Sequence, residues 1–145
     1  MKTVSLRRLY WVAPLSIISS VLAVIAVQLI AVKALSPLPR FSQAVLLSAE
    51  PAVVTAILVS GAVLVFAMCV RLAAEPVRTY RRVALAVLLL SFVPNVAAAL
   101  FLGPAAGWPS MIALMTMHVV AWAVTVSMLT RLTVVEDSPT RSPVP

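Results

Sequence analysis

Long apolar runs separated by short polar ones set the pattern of this chain. The first, "WVAPLSIISSVLAVIAVQLIAV", covers residues 11–32. As a helix it reaches about 33 Å, enough to cross a hydrocarbon core of about 30 Å. The others are "AVVTAILVSGAVLVFAMCV" (52–70), "VALAVLLLSFVPNVAAALFL" (83–102) and "SMIALMTMHVVAWAVTVSMLT" (110–130). None alternates polar and apolar residues as a barrel strand would, so the pattern predicts four transmembrane helices.

The breaks carry turn chemistry. Ser48, Glu50 and Pro51 form a start signal for the second helix. The stretch "RLAAEPVRTYRR" reads as a basic turn. "GPAAGWP" is short enough to make the third and fourth helices antiparallel neighbours. The fold class expected is an all-α integral membrane protein, an antiparallel up-down bundle in one domain, 1–132. The proline-rich segment 133–145 has little to bury and reads as a disordered cytoplasmic tail.

Composition agrees with the pattern. Of 145 residues, 63% are apolar and 10% charged, where a soluble domain carries roughly 25% charged residues. The net charge of +7 would point to nucleic acid in a soluble protein, but here the basic residues flank the spans. With the N-terminus inside, Lys2, Arg7, Arg8, Arg71, Arg78, Arg81, Arg82, Arg131 and Arg141 lie on the inner side, and only Lys33 and Arg40 on the outer. That bias predicts a cytoplasmic membrane protein with both termini inside. The N-terminal run is too long for a signal-peptide core and lacks a cleavage site, so an uncleaved first helix is expected. The lipid bilayer is the expected environment. A membrane-protein partner or a second copy remains open, and no nucleic acid is expected.

Polar side chains inside a bilayer are costly and therefore informative. Asn95 lies roughly 10 Å, and His118 and Ser60 roughly 12 Å, from the outer ends of their spans. Gln28 and Thr55 are shallower. Pro94 predicts a kink in the third helix, whose freed carbonyl near Leu90 wants a donor from Asn95, His118 or Ser91. On the fourth helix Met111, Met115, His118, Trp122, Thr125 and Leu129 share a face. That face is either the bundle seam or, with Asn95, Ser60, Gln28 and Thr55, the lining of an outward-facing cavity. Ser16 and Ser20 are four apart, as are Ala52, Ala56 and Ser60, a spacing that lets helices approach closely.

Catalytic and metal chemistry finds few residues to use. His118 and Cys69 are single, so neither a disulfide nor the usual zinc set can form within the chain. There is no glycine-rich phosphate loop, and the spans hold no carboxylate pair. No catalytic residue, metal or cofactor is expected.

The runs "RRVALAVLLLSFVPNVAAA" and "MIALMTMHVVAWAVTVSML" resemble a family of small bacterial four-helix membrane proteins, catalogued as domain of unknown function number 6069. The likeness covers roughly residues 12–131. It is carried by Arg81 and Arg82, by Ser91 and Pro94, and by Met117 and His118, while Asn95 departs from it. The resemblance implies the fold and a bacterial cell membrane, and it brings no activity. Two functions follow: a non-catalytic accessory subunit of a membrane assembly, or a binder of a small apolar or lipid-like ligand in a cavity near His118 and Asn95.

Overall fold

A computed structural model describes residues 2–4, 6–34, 48–102 and 108–136. The described secondary structure is four helices and a two-stranded ribbon: β1 (Lys2–Val4), α1 (Leu6–Ala34), α2 (Glu50–Leu72), α3 (Pro76–Leu102), α4 (Trp108–Leu132) and β2 (Val134–Glu136). All four helices are long and apolar enough to cross a membrane. Residues 35–47, within the loop expected on the outer side, the link 103–107 and the tail residues 137–145 lie outside the described residues.

Each helix overruns its apolar run, and the reason is local. Charged residues that end a hydropathy pattern do not end a helix, because arginine is a good helix former. Thus α3 starts at Pro76, where the missing N–H costs nothing, and already includes Arg78, Arg81 and Arg82. Thr79 N–H donates to the Glu75 carbonyl at 3.0 Å, and the turn expected across this whole basic stretch contracts to Ala73–Glu75. At the start of α2 the cap position is Ala49, one residue after the expected Ser48. The Ser48 hydroxyl still accepts from Glu50 N–H at 3.4 Å, and Pro51 sits in the first turn. The third helix continues through Pro94 to Leu102.

The helices pack in sequence order, α1 on α2, α2 on α3 and α3 on α4, and the ring closes through α4 on α1, the most extensive interface. One stripe of α1 is buried: Val12, Ser16, Ser20, Val24 and Ala31. Small residues on it let the α4 backbone come close, which is how helices adhere without a hydrophobic driving force. The larger core cluster joins Val12 from the start of α1 and Phe66 and Cys69 from the end of α2. Tyr80 comes from the start of α3, and Val126 and Leu129 from the end of α4. Phe66 and Tyr80 meet edge to face, ring centroids 4.9 Å apart. A smaller cluster joins Val24 to Met117.

The ribbon is a difference from expectation. β1 and β2 pair antiparallel, with Lys2 opposite Glu136, Thr3 opposite Val135 and Val4 opposite Val134. Residues 134–136, read from composition as part of a disordered tail, are therefore a strand. A partner strand at the far end of the sequence supplies the backbone hydrogen bonds that a lone tail would take from water.

Candidate functional site

The polar side chains of the spans divide into two groups by what they bond. Towards the Gln28 end of the molecule, three of the candidate residues bond carbonyls of their own helices. His118 Nδ1 lies 2.8 Å from the Leu114 carbonyl. A carbonyl can only accept, so this bond places a proton on Nδ1. Thr55 Oγ1 donates to the Pro51 carbonyl at 2.6 Å, and Ser60 Oγ to the Ala56 carbonyl at 2.8 Å. Ser60 is exposed, on a helix face directed away from the bundle. Gln28 Nε2 reaches out of its helix and donates to the Ser48 carbonyl at 3.2 Å, tying α1 to the approach of α2.

The kinked-helix expectation resolves differently from its outline. Ser91 Oγ donates to the Leu88 carbonyl at 2.6 Å, one turn back in its own helix, rather than to Leu90. His118 is likewise occupied at Leu114. Asn95 is half-buried, and its Nδ2 is buried without a hydrogen-bond partner among the described residues. Trp122, half-buried and packed against the larger core cluster, also holds a buried Nε1–H without a partner among the described residues. Met115 on α4 is half-buried, and Pro94 is exposed. No hydrogen bond joins His118, Asn95, Ser60, Thr55 and Trp122 to one another.

Of the second group, the sequence marks Ser16 and Ser20 by small-residue spacing and Thr125 by its place on the α4 face, and does not single out Tyr80, Thr130 or Thr133. Ser20 and Thr125 share a hydrogen bond of 2.9 Å between α1 and α4, with both residues buried. Ser16 donates to the Ala13 carbonyl at 2.8 Å, and Thr130 to the Val126 carbonyl at 2.7 Å. Thr133 donates to the Leu129 carbonyl from a fully buried position just before β2. Tyr80, 1% exposed, holds its hydroxyl in the core with no partner among the described residues. The signal that marks this group is the spacing of Ser16, Ser20 and Val24 on one stripe, set against Thr125 and Leu129 on the facing helix.

Among the described residues no three histidine, cysteine, aspartate or glutamate side chains come together. Cys69 is a buried free thiol packed in the larger core cluster. Ser20 and Thr125 join two helices, and the hydroxyls of Ser16, Thr130 and Thr133 bond carbonyls of the preceding turn, while that of Tyr80 has no partner among the described residues. Comparison with known proteins returns nothing: no protein family, curated protein or solved structure matches the chain.

Proposed function

We propose that this is a multi-pass protein of a bacterial cytoplasmic membrane, an antiparallel bundle with both termini inside, acting as a non-catalytic accessory subunit of a membrane assembly. Three observations support the arrangement. The ribbon brings the two ends of the chain side by side. The larger core cluster draws on the starts of α1 and α3 and the ends of α2 and α4. The basic residues flanking those segments then fall on one side, as the positive-inside rule asks.

The observation that carries the non-catalytic reading is the bond from His118 to Leu114. The single histidine of the chain is engaged through Nδ1 by its own helix. Ser20 and Thr125 likewise satisfy each other, so the bundle's best-placed hydroxyls serve helix association. The experiment is purification of the tagged full chain from its own membrane in mild detergent, followed by native mass spectrometry. A subunit is recovered with one partner at fixed stoichiometry. Recovery as a lone chain without partner or bound mass overturns the proposal.

A second reading rests on Asn95 and Trp122, whose buried N–H donors have no acceptor. A buried unpaired donor is costly, and a ligand carrying a carbonyl or ether oxygen on an apolar body would satisfy it. This reading expects a discrete bound mass on the purified chain, released by Asn95→Ala with the bundle still folded.

A further inference from the structure

We infer that α3 carries a binding site for one anionic phospholipid, with its headgroup at Arg81 and Arg82 and an acyl chain along the helix face below them. This inference rests on the reading of the four helices as membrane spans, and it assigns a ligand which that reading does not require.

The starting point is the uneven burial of the helices. In α3 only 6% of the apolar window is buried within the protein, against 22% to 28% in the other three. Its buried side is narrow and is anchored by Tyr80. The opposite side runs Arg82, Leu85, Leu89, Val93, Val96 at intervals of three and four, one continuous face of a helix. All five residues are exposed. Arg81 adjoins the top of this stripe, one turn from Leu85. From Arg82 to Val93 the helix rises about 16 Å, close to half of a hydrocarbon core of about 30 Å. The stripe thus has the length and polarity of one phospholipid in one leaflet: cationic at the end, apolar for the reach of a chain.

Charge decides which lipid. Arg78, the arginine one turn before Arg82, is held by Glu75 at 3.2 Å. Arg81 and Arg82 are exposed and form no ion pair with any described residue. Two free guanidiniums fit the two non-bridging oxygens of a phosphodiester, to which arginine binds with paired N–H donors. A zwitterionic lipid brings its own ammonium to that position and is disfavoured, whereas a net anionic headgroup is not. Topology signalling alone asks only for positive charge on this side. Arg8 also stands above an exposed face of α1, at Trp11, Leu15, Ile18 and Leu22, so what sets α3 apart is that so little of it is buried against the bundle.

The test uses the full chain reconstituted in nanodiscs of equal phosphatidylglycerol and phosphatidylethanolamine. Lipids that survive gentle removal of the belt are counted by native mass spectrometry. The wild type is expected to retain phosphatidylglycerol over phosphatidylethanolamine by at least about fivefold, the share one arginine contributes at a membrane surface. Arg81→Gln/Arg82→Gln is expected to fall to the bulk ratio, while Arg7→Gln/Arg8→Gln, which removes the same charge from α1, keeps the preference. Retention at the bulk ratio by the wild type overturns the site whatever the variants do. Equal losses in the two double variants overturn it as well, since they show a general charge effect. Failure of the membrane reading looks different: the wild-type chain would leave the membrane fraction under alkaline carbonate and never enter the nanodisc.

Discussion

The hydroxyls of Ser20 and Thr125 meet at 2.9 Å across the α1–α4 interface, both buried. Neither oxygen has water to fall back on, and the stripe of α1 around Ser20 is small enough to let α4 approach. Thr125→Val keeps the shape of the side chain and removes the hydroxyl, leaving Ser20 to turn back to its own helix. Bonds of this kind in membranes are worth about 0.6 kcal/mol on average and at most about 2. A double-mutant cycle of Ser20→Ala and Thr125→Val, read from unfolding in mixed detergent, should return a coupling in that range. A coupling of zero would mean that the contact is proximity alone.

Tyr80 predicts the opposite sign. Its ring is wedged edge-on against Phe66 while its hydroxyl is buried without a partner. Burying an unpaired hydroxyl costs roughly 1–3 kcal/mol, so Tyr80→Phe should leave the bundle equally stable or raise its unfolding midpoint. Phe66→Ala should lower it, though by less than the roughly 3–5 kcal/mol seen in soluble cores. Lipid fills part of the deficit, since the unfolded reference is itself apolar. A clear loss on Tyr80→Phe would show that the hydroxyl is bonded in the membrane.

His118 and Asn95 separate a structural polar side chain from an unsatisfied one. The His118 bond is local, to Leu114 in its own helix, so His118→Leu should shift stability by less than about 1 kcal/mol. Asn95→Leu removes a buried donor that bonds nothing and should stabilise the purified chain. The informative comparison is detergent-purified protein against protein in native membrane. Stabilisation in both environments means that Asn95 has no ligand. Stabilisation in detergent with loss in membrane identifies an acceptor that purification removed.

Hydropathy carries the four spans because the bilayer imposes a length and a polarity that few other environments demand. It misses the helix ends, since nothing in Arg78, Arg81 or Arg82 stops a helix that Pro76 has started. It also overweights the outer polar layer. Single residues such as His118 and Ser60 stand out in an apolar run, yet serine, threonine and histidine in a helix can satisfy themselves on a carbonyl one turn back. Ser20 and Thr125 are 105 positions apart, and only the packing of α1 on α4 makes them a pair. The ribbon is illegible for the same reason. Thr3, Val4, Val134 and Val135 favour a strand by themselves, but segments this short form one only when paired, and what brings 2–4 to 134–136 is the bundle between them.

That dependence gives the last prediction. A two-stranded ribbon is marginal by itself, so β1 and β2 should open without unfolding the helices. Paired positions in an antiparallel ladder alternate between bonded and non-bonded. Prolines at the adjacent positions Val135 and Glu136 therefore remove at least one ladder bond whichever pair carries it. Spin labels at Val4→Cys and Val134→Cys, which lie opposite each other, report the clasp once Cys69 is changed to Ala. With the ribbon closed, the backbones sit about 5 Å apart and the label distance is short and narrowly distributed. In Val135→Pro/Glu136→Pro it should broaden, while the unfolding midpoint of the bundle stays where it was. If the midpoint falls with the clasp, the ribbon is part of the fold's stability, and Thr133, buried at the hinge on its Leu129 bond, is the residue through which the two are coupled.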